Sequence, residues 1–164
     1  MAGGAGRGGT SGAAGSGGTT NGGAGSGGRG DQAGRGGESG QPCGTVPNGA
    51  TPVSEIQRTG SMPAPMGGTL ADGTYHLTAW NVYSPATADA DLHSATLRIT
   101  AGMFEVIVDG TARQSGSVST AGVILTFAPS CPTGTPIMKP YTANATILSL
   151  STVSENRVET FARQ

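Results

Sequence analysis

This chain of 164 residues is short of almost everything that usually marks a function. Aromatics make up 4% of it, as one Trp, three Tyr and three Phe, and charged residues only 12%. A formal net charge of −1 gives no field able to gather nucleic acid or an anionic membrane surface. No run of eighteen apolar residues occurs, so no helix spans a bilayer as the chain is written. No Gly-x-Ser-x-Gly elbow and no Cys-x-x-Cys pair is present, which removes one common hydrolase signature and the usual structural-metal spacing. The first 40 residues contain no Val, Ile, Leu, Phe, Tyr or Trp.

What fills that segment is glycine, with 19 of the chain's 30. Four loose copies of a Gly-Gly-Ala-Gly-x-Gly-Gly unit follow one another, and none carries a side chain able to bury apolar area. Stacking them cannot offset the entropy of ordering the backbone, so residues 1–42 are expected to be a disordered tether. A Gly-rich coil of that length has a root-mean-square span of roughly 35 Å. Gly4-Ala5-Gly6-Arg7-Gly8-Gly9 has the spacing of a dinucleotide fingerprint, but no strand pattern precedes it and no helix pattern follows. Arg7-Gly8-Gly9 and Arg35-Gly36-Gly37 match arginine-glycine RNA-binding tracts, with few arginines and no interleaved aromatics. RNA binding through this tail is therefore kept as an alternative only. Met1 opens directly into the repeat, which leads to the expectation that an export signal, and any membrane anchor, lies upstream.

Residues 43–69 carry several prolines and read as an extended lead-in with turns, with a short turn near Val53-Ser54-Glu55-Ile56 possible but not required. They also hold Cys43, whose one possible partner is Cys131. Two cysteines so far apart, each beside a proline, most simply form one disulfide. Closing that loop is worth about 4 to 5 kcal/mol in the chain-entropy model, and the bond persists only in an oxidising compartment. The expected location is accordingly extracytoplasmic, in the cell envelope or secreted.

From Leu70 onward the pattern changes to short runs with period-two alternation: 70–83, 95–100, 103–108, 113–119, 123–127, 137–142, 146–150 and 156–161. Turn signals at Ala101-Gly102, Asp109-Gly110, Ala121-Gly122 and Ala143-Asn144 join several of them, and residues 84–92 form one longer loop. Short links make neighbours antiparallel, and a meander of about eight strands hides its edges best by closing on itself. The expected fold is all-β, a small antiparallel up-and-down barrel over 70–164. Alternation places Tyr75, Leu77 and Ala79 inside, with Leu97, Ile99, Phe104, Val106, Val108, Val123, Leu125, Phe127, Leu148 and Leu150, and puts His76, Trp80 and Val82 on the opposite face. Trp80 then either covers a barrel end or marks an exposed contact.

The sequences Leu70-Ala71-Asp72-Gly73-Thr74-Tyr75, Leu97-Arg98-Ile99, Gly116-Ser117-Val118 through Gly122-Val123-Ile124-Leu125, Tyr141 through Leu150, and Val158-Glu159-Thr160-Phe161-Ala162-Arg163 together resemble the small bacterial lipocalin-like domains. The Gly-rich spacer ahead of a single such domain is similar to that of envelope lipoproteins, although no lipidation cysteine is present here. The resemblance implies a barrel of about eight strands and, in some relatives, a small apolar ligand held inside. Carried onto this chain, the ligand-binding interior would be Tyr75, Leu77, Leu97, Ile99, Phe104, Val106, Leu125, Phe127 and Tyr141.

No catalytic residue, cofactor or metal is expected. His76 and His93 have no metal spacing; Asp72, Asp89 and Asp91 lack the glycine turn and distal Glu of a calcium loop. A further rival is an enzyme built on an acid such as Glu105 or Asp109, which an inward-facing carboxylate would favour. The expected activity is that of a non-enzymatic, extracytoplasmic tethered barrel, alternatively a carrier of a small apolar ligand. Its expected partners are such a ligand or another envelope protein, with no nucleic acid, and with a membrane reached only through an upstream anchor.

Overall fold

A computed structural model describes residues 43–164. The tether expectation for residues 1–42 lies outside them. The described chain is all-β: β1 (Val53–Arg58), β2 (Gly73–Tyr83), β3 (Leu92–His93), β4 (Ala95–Thr100), β5 (Met103–Val108), β6 (Ala112–Ala121), β7 (Ile124–Cys131), β8 (Ile137–Ala143), β9 (Ile147–Thr152) and β10 (Arg157–Arg163). A 3-10 turn at Val153–Glu155 links the last two. Strands β2 and β4 to β10 pair in sequence as antiparallel neighbours, and β10 returns to β2, so eight strands close a barrel. Closure removes the free edges that a meander of this size would otherwise expose.

Thirteen buried side chains from every barrel strand meet in one core, among them Tyr75, Leu77, Leu97, Ile99, Phe104, Leu125, Phe127, Tyr141, Leu148, Leu150 and Phe161. The rings of Phe104 and Phe127 meet edge-on with centroids 5.0 Å apart. At the end where β2 and the β4–β5 turn lie, the chain before β2 forms a plug. Tyr75 Oη donates to the Ala71 carbonyl at 2.6 Å and Tyr141 Oη to that of Gly68 at 2.8 Å, so neither buried phenol lacks a partner. Burial pushes the Tyr75 phenol pKa up. Gly68 has φ +123°, and a Cβ there would stand 2.1 Å from the Ala143 carbonyl oxygen; only glycine lets the plug approach β8 so closely.

Two expectations about faces are corrected. Val123 sits beside the β6–β7 turn and is 40% exposed, because the regular alternation of β7 begins only at Ile124. In β2, Leu77 pairs with Phe161 but Ala79 pairs with Thr160 and Trp80 with Glu159, leaving Thr78 as an extra residue. This bulge moves the phase by one, so Leu77 and Trp80 both face inward although three positions apart, and Ala79 does not. Thr78 Oγ1 fastens the irregularity by donating to the Thr160 carbonyl at 3.1 Å.

The lead-in is also more structured than its prolines suggest. Cys43 is bonded to Cys131 across 88 positions, and residues 45–50 then lie as a strap on the outer face of the barrel. Glu105 Oε2 accepts from Thr45 and Val46 N–H at 3.1 and 3.2 Å, Arg113 Nη1 donates to the Val46 carbonyl at 2.7 Å, and Thr96 Oγ1 accepts from Gly49 and Ala50 N–H. Val46, Thr96 and Ile107 are buried on this covered outer face. Beyond the strap, 53–58 is not a turn but strand β1. It runs parallel to β2, pairing Glu55 with Trp80 and Arg58 with Tyr83, and antiparallel to β3.

Candidate functional site: the open half of the barrel

The strand β1 determines the shape of the interior. Strand β4 pairs with β2 only over Gly73–His76, and from Trp80 onward that edge of β2 is taken by β1, which pairs in turn with β3. A wedge is therefore inserted between β2 and the start of β4 at one end. Across the barrel β8 and β9 pair only over Tyr141–Ala143 and Leu148–Leu150, although β8 begins at Ile137 and β9 continues to Thr152. The barrel is tight at the plugged end and spread at the other. The result is a cavity of about 260 Å³ in the spread half.

Its floor and walls are apolar: Ala95, Leu97, Phe104, Val106, Val108, Phe127, Leu150 and Phe161. Of the nine interior residues expected from the sequence, Leu97, Phe104, Val106 and Phe127 line it. Tyr75, Leu77, Ile99, Leu125 and Tyr141 are buried in the core but do not line it. The rim is polar and came as no part of that expectation. It contains Trp80, Gln114, Lys139, Arg157 and Glu159.

The rim is tightly interlinked. Glu159, 8% exposed, accepts from Lys139 Nζ on both oxygens at 2.9 and 3.1 Å, and its Oε1 lies 3.2 Å from Arg157 Nη2. The outer face of the Arg157 guanidinium reaches Glu155 on the 3-10 turn. Arg157 Cζ lies 4.3 Å from the Trp80 ring centroid, within cation–π range. His93 stacks on the same indole at 3.9 Å with an interplanar angle of 11°, and since two flat groups cannot occupy one face at these distances, the indole is held between them. His93 Nε2 is in turn 3.2 Å from Glu55 Oε1. A chain of contacts thus crosses the mouth from β1 to β8.

Three buried polar atoms among the described residues lack any hydrogen-bond partner: Trp80 Nε1, Thr152 Oγ1 and Arg157 Nε. All three belong to the last inward-facing rows at the mouth, since Arg157 pairs with Thr152 and with Val82, and Glu159 with Trp80.

The remaining polar candidates have structural duties. Glu105 points outward and holds the strap. The hydrogen bond from Arg98, at 2.7 Å, is the main reason its carboxyl lies below the ordinary Glu value; the Thr45 and Val46 amides and the Arg98 charge add to it, and burial opposes it. Asp109 Oδ1 accepts from Ser94 N–H and Asp72 Oδ2 from Ala101 N–H. The ligand atoms of Glu55, Asp89 and His93 lie within 4.8 Å of one another. They are already engaged, with Glu55 accepting from Asp89 N–H and facing His93, and Asp89 Oδ1 accepting from Asp91 N–H, which makes this a loop clasp. His76 lies against Gly49, on the other side of β2 from this group.

No protein-family model, curated protein or solved structure matches this chain.

Proposed function

We propose that this protein is a non-enzymatic, extracytoplasmic binding module that holds one small, largely apolar molecule in the open half of its barrel, presented on the Gly-rich tether of residues 1–42. The cavity carries this reading: an eight-stranded barrel has room either for its own side chains or for one small ligand, and here the spread half is left unfilled by side chains. A cavity of about 260 Å³ lies just below the usual range of drug-sized ligand pockets and suits a small molecule. The disulfide between Cys43 and Cys131 supports an oxidising location. The lipocalin-like resemblance of strand order and turns agrees with a carrier.

The test is thermal unfolding with and without saturating 1-hexanol, in the native protein and in Ala95→Leu, which places a larger side chain in the cavity wall. The melting temperature of the native protein is expected to rise with the alcohol, and that of Ala95→Leu to stay unchanged. Absence of a shift in the native protein, together with no displacement of any apolar probe, overturns the reading.

A further inference from the structure

The rim holds more than a mouth requires. Burying an ion cluster costs desolvation that its mutual attraction only partly offsets, and a purely apolar ligand would be served as well by apolar side chains. The ionisable side chains lining the cavity are two cations, Lys139 and Arg157, and one carboxylate, Glu159. Glu155, which meets the far side of Arg157, is 53% exposed on the 3-10 turn and does not line the cavity. The imbalance extends to hydrogen bonding. Lys139, Arg157 and Trp80 offer N–H donors in excess of what the two Glu159 oxygens accept. Two of those donors, Trp80 Nε1 and Arg157 Nε, are buried with no acceptor at all. An unsatisfied buried donor is a standing cost, relieved by any group that brings an acceptor.

We propose that the ligand is a small amphipathic anion, a carboxylate about the size of hexanoate, whose tail occupies the apolar floor and whose head group is received between Lys139, Arg157 and Trp80. This rests on the cavity reading above and adds the head group to it. A cationic head would meet two like charges and leave both donors unpaired; a neutral alcohol oxygen could accept from them but without the charge assistance that a carboxylate brings. Glu159 holds the two cations in place while the site is empty. On binding, the incoming carboxylate takes over part of that role, and the Arg157 guanidinium turns on the Trp80 face to bring Nε to the head group. The proximity of Arg157 to the indole makes Trp80, the one tryptophan in the chain, a built-in reporter.

Titration of the intact protein with hexanoate, 1-hexanol and hexylamine, equal in chain length, followed by Trp80 fluorescence and by calorimetry, decides the matter. Hexanoate is expected to bind about tenfold or more tightly than 1-hexanol, as charge-assisted hydrogen bonds allow, and hexylamine more weakly than either. Two substitutions should move this preference in opposite directions. Lys139→Gln should lower hexanoate affinity about tenfold with little effect on 1-hexanol, and Glu159→Gln should raise it. Equal affinity for the three compounds, or a preference for the amine, overturns the head-group assignment while leaving the cavity reading intact. Binding of none of them overturns both. The comparison in the unmodified protein stands by itself should either variant fail to fold.

Discussion

The imidazole of His93 lies flat on the indole of Trp80, their centroids 3.9 Å apart, although the two residues belong to strands that do not pair with each other. Strand β1 makes the contact possible, since it stands between them and contributes Glu55 to hold the imidazole. His93→Ala should therefore uncover one face of Trp80. The expected result is a red-shifted emission and a loss of about 1 kcal/mol, the usual worth of an aromatic pair. An unchanged spectrum would show that the stacking does not persist in solution.

Glu105 ties the strap to the barrel, and its carboxyl lies below the ordinary value chiefly through the Arg98 hydrogen bond. A group whose folded pKa is depressed contributes its full stabilisation above the unfolded value, near 4.3, and loses it as the pH falls through the lower folded value. Stability should then decline in the acid range below about pH 4, and Glu105→Gln should flatten part of that decline. Denaturant midpoints measured from pH 6 down to pH 2 for both proteins check this. Parallel curves would rule Glu105 out as a contributor.

The bond between Cys43 and Cys131 constrains a loop of 88 positions in the unfolded chain. Its reduction, or Cys43→Ser or Cys131→Ser, should cost about 2–5 kcal/mol. The double substitution should add little to either single one, because both remove the same bond. Additive losses in chemical denaturation would mean that the cysteines stabilise the fold by separate routes.

Gly116 lies in β6 at the register shift opposite Pro129, where an added Cβ would stand 2.1 Å from the Ala128 carbonyl oxygen. Backbone occupies the space, so no side-chain rotation relieves the clash. Gly116→Ala should destabilise by about 2 kcal/mol or more, whereas Gly110→Ser, at a turn with nothing within 4 Å but with φ +72°, should cost only about 1 kcal/mol of backbone strain. Equal melting temperatures for the two variants would contradict this account.

The alternation of short apolar strands, the short turns between them and the single cysteine pair determine the barrel and its staple, because these are local signals: period two, turn chemistry, and a pairing with no competitor. Leu97, Phe104, Val106 and Phe127 were legible as interior positions for that reason. The bulge at Thr78 was not. It adds one residue to β2 relative to β10, and nothing in Leu77-Thr78-Ala79-Trp80 distinguishes a continuous strand from a shifted one until β10 is laid beside it. That shift alone carries Trp80 to the cavity. Val53–Arg58 reads locally as coil because its strand character comes from β2 and β3, which are distant in sequence. Lys139, Arg157 and Glu159 look like surface charges in strands that also carry outward residues, and only closure of β8, β9 and β10 into one wall turns them inward together. Tertiary structure thus decided the mouth, since a site made by register and by a wedge between strands has no signature within any one of them.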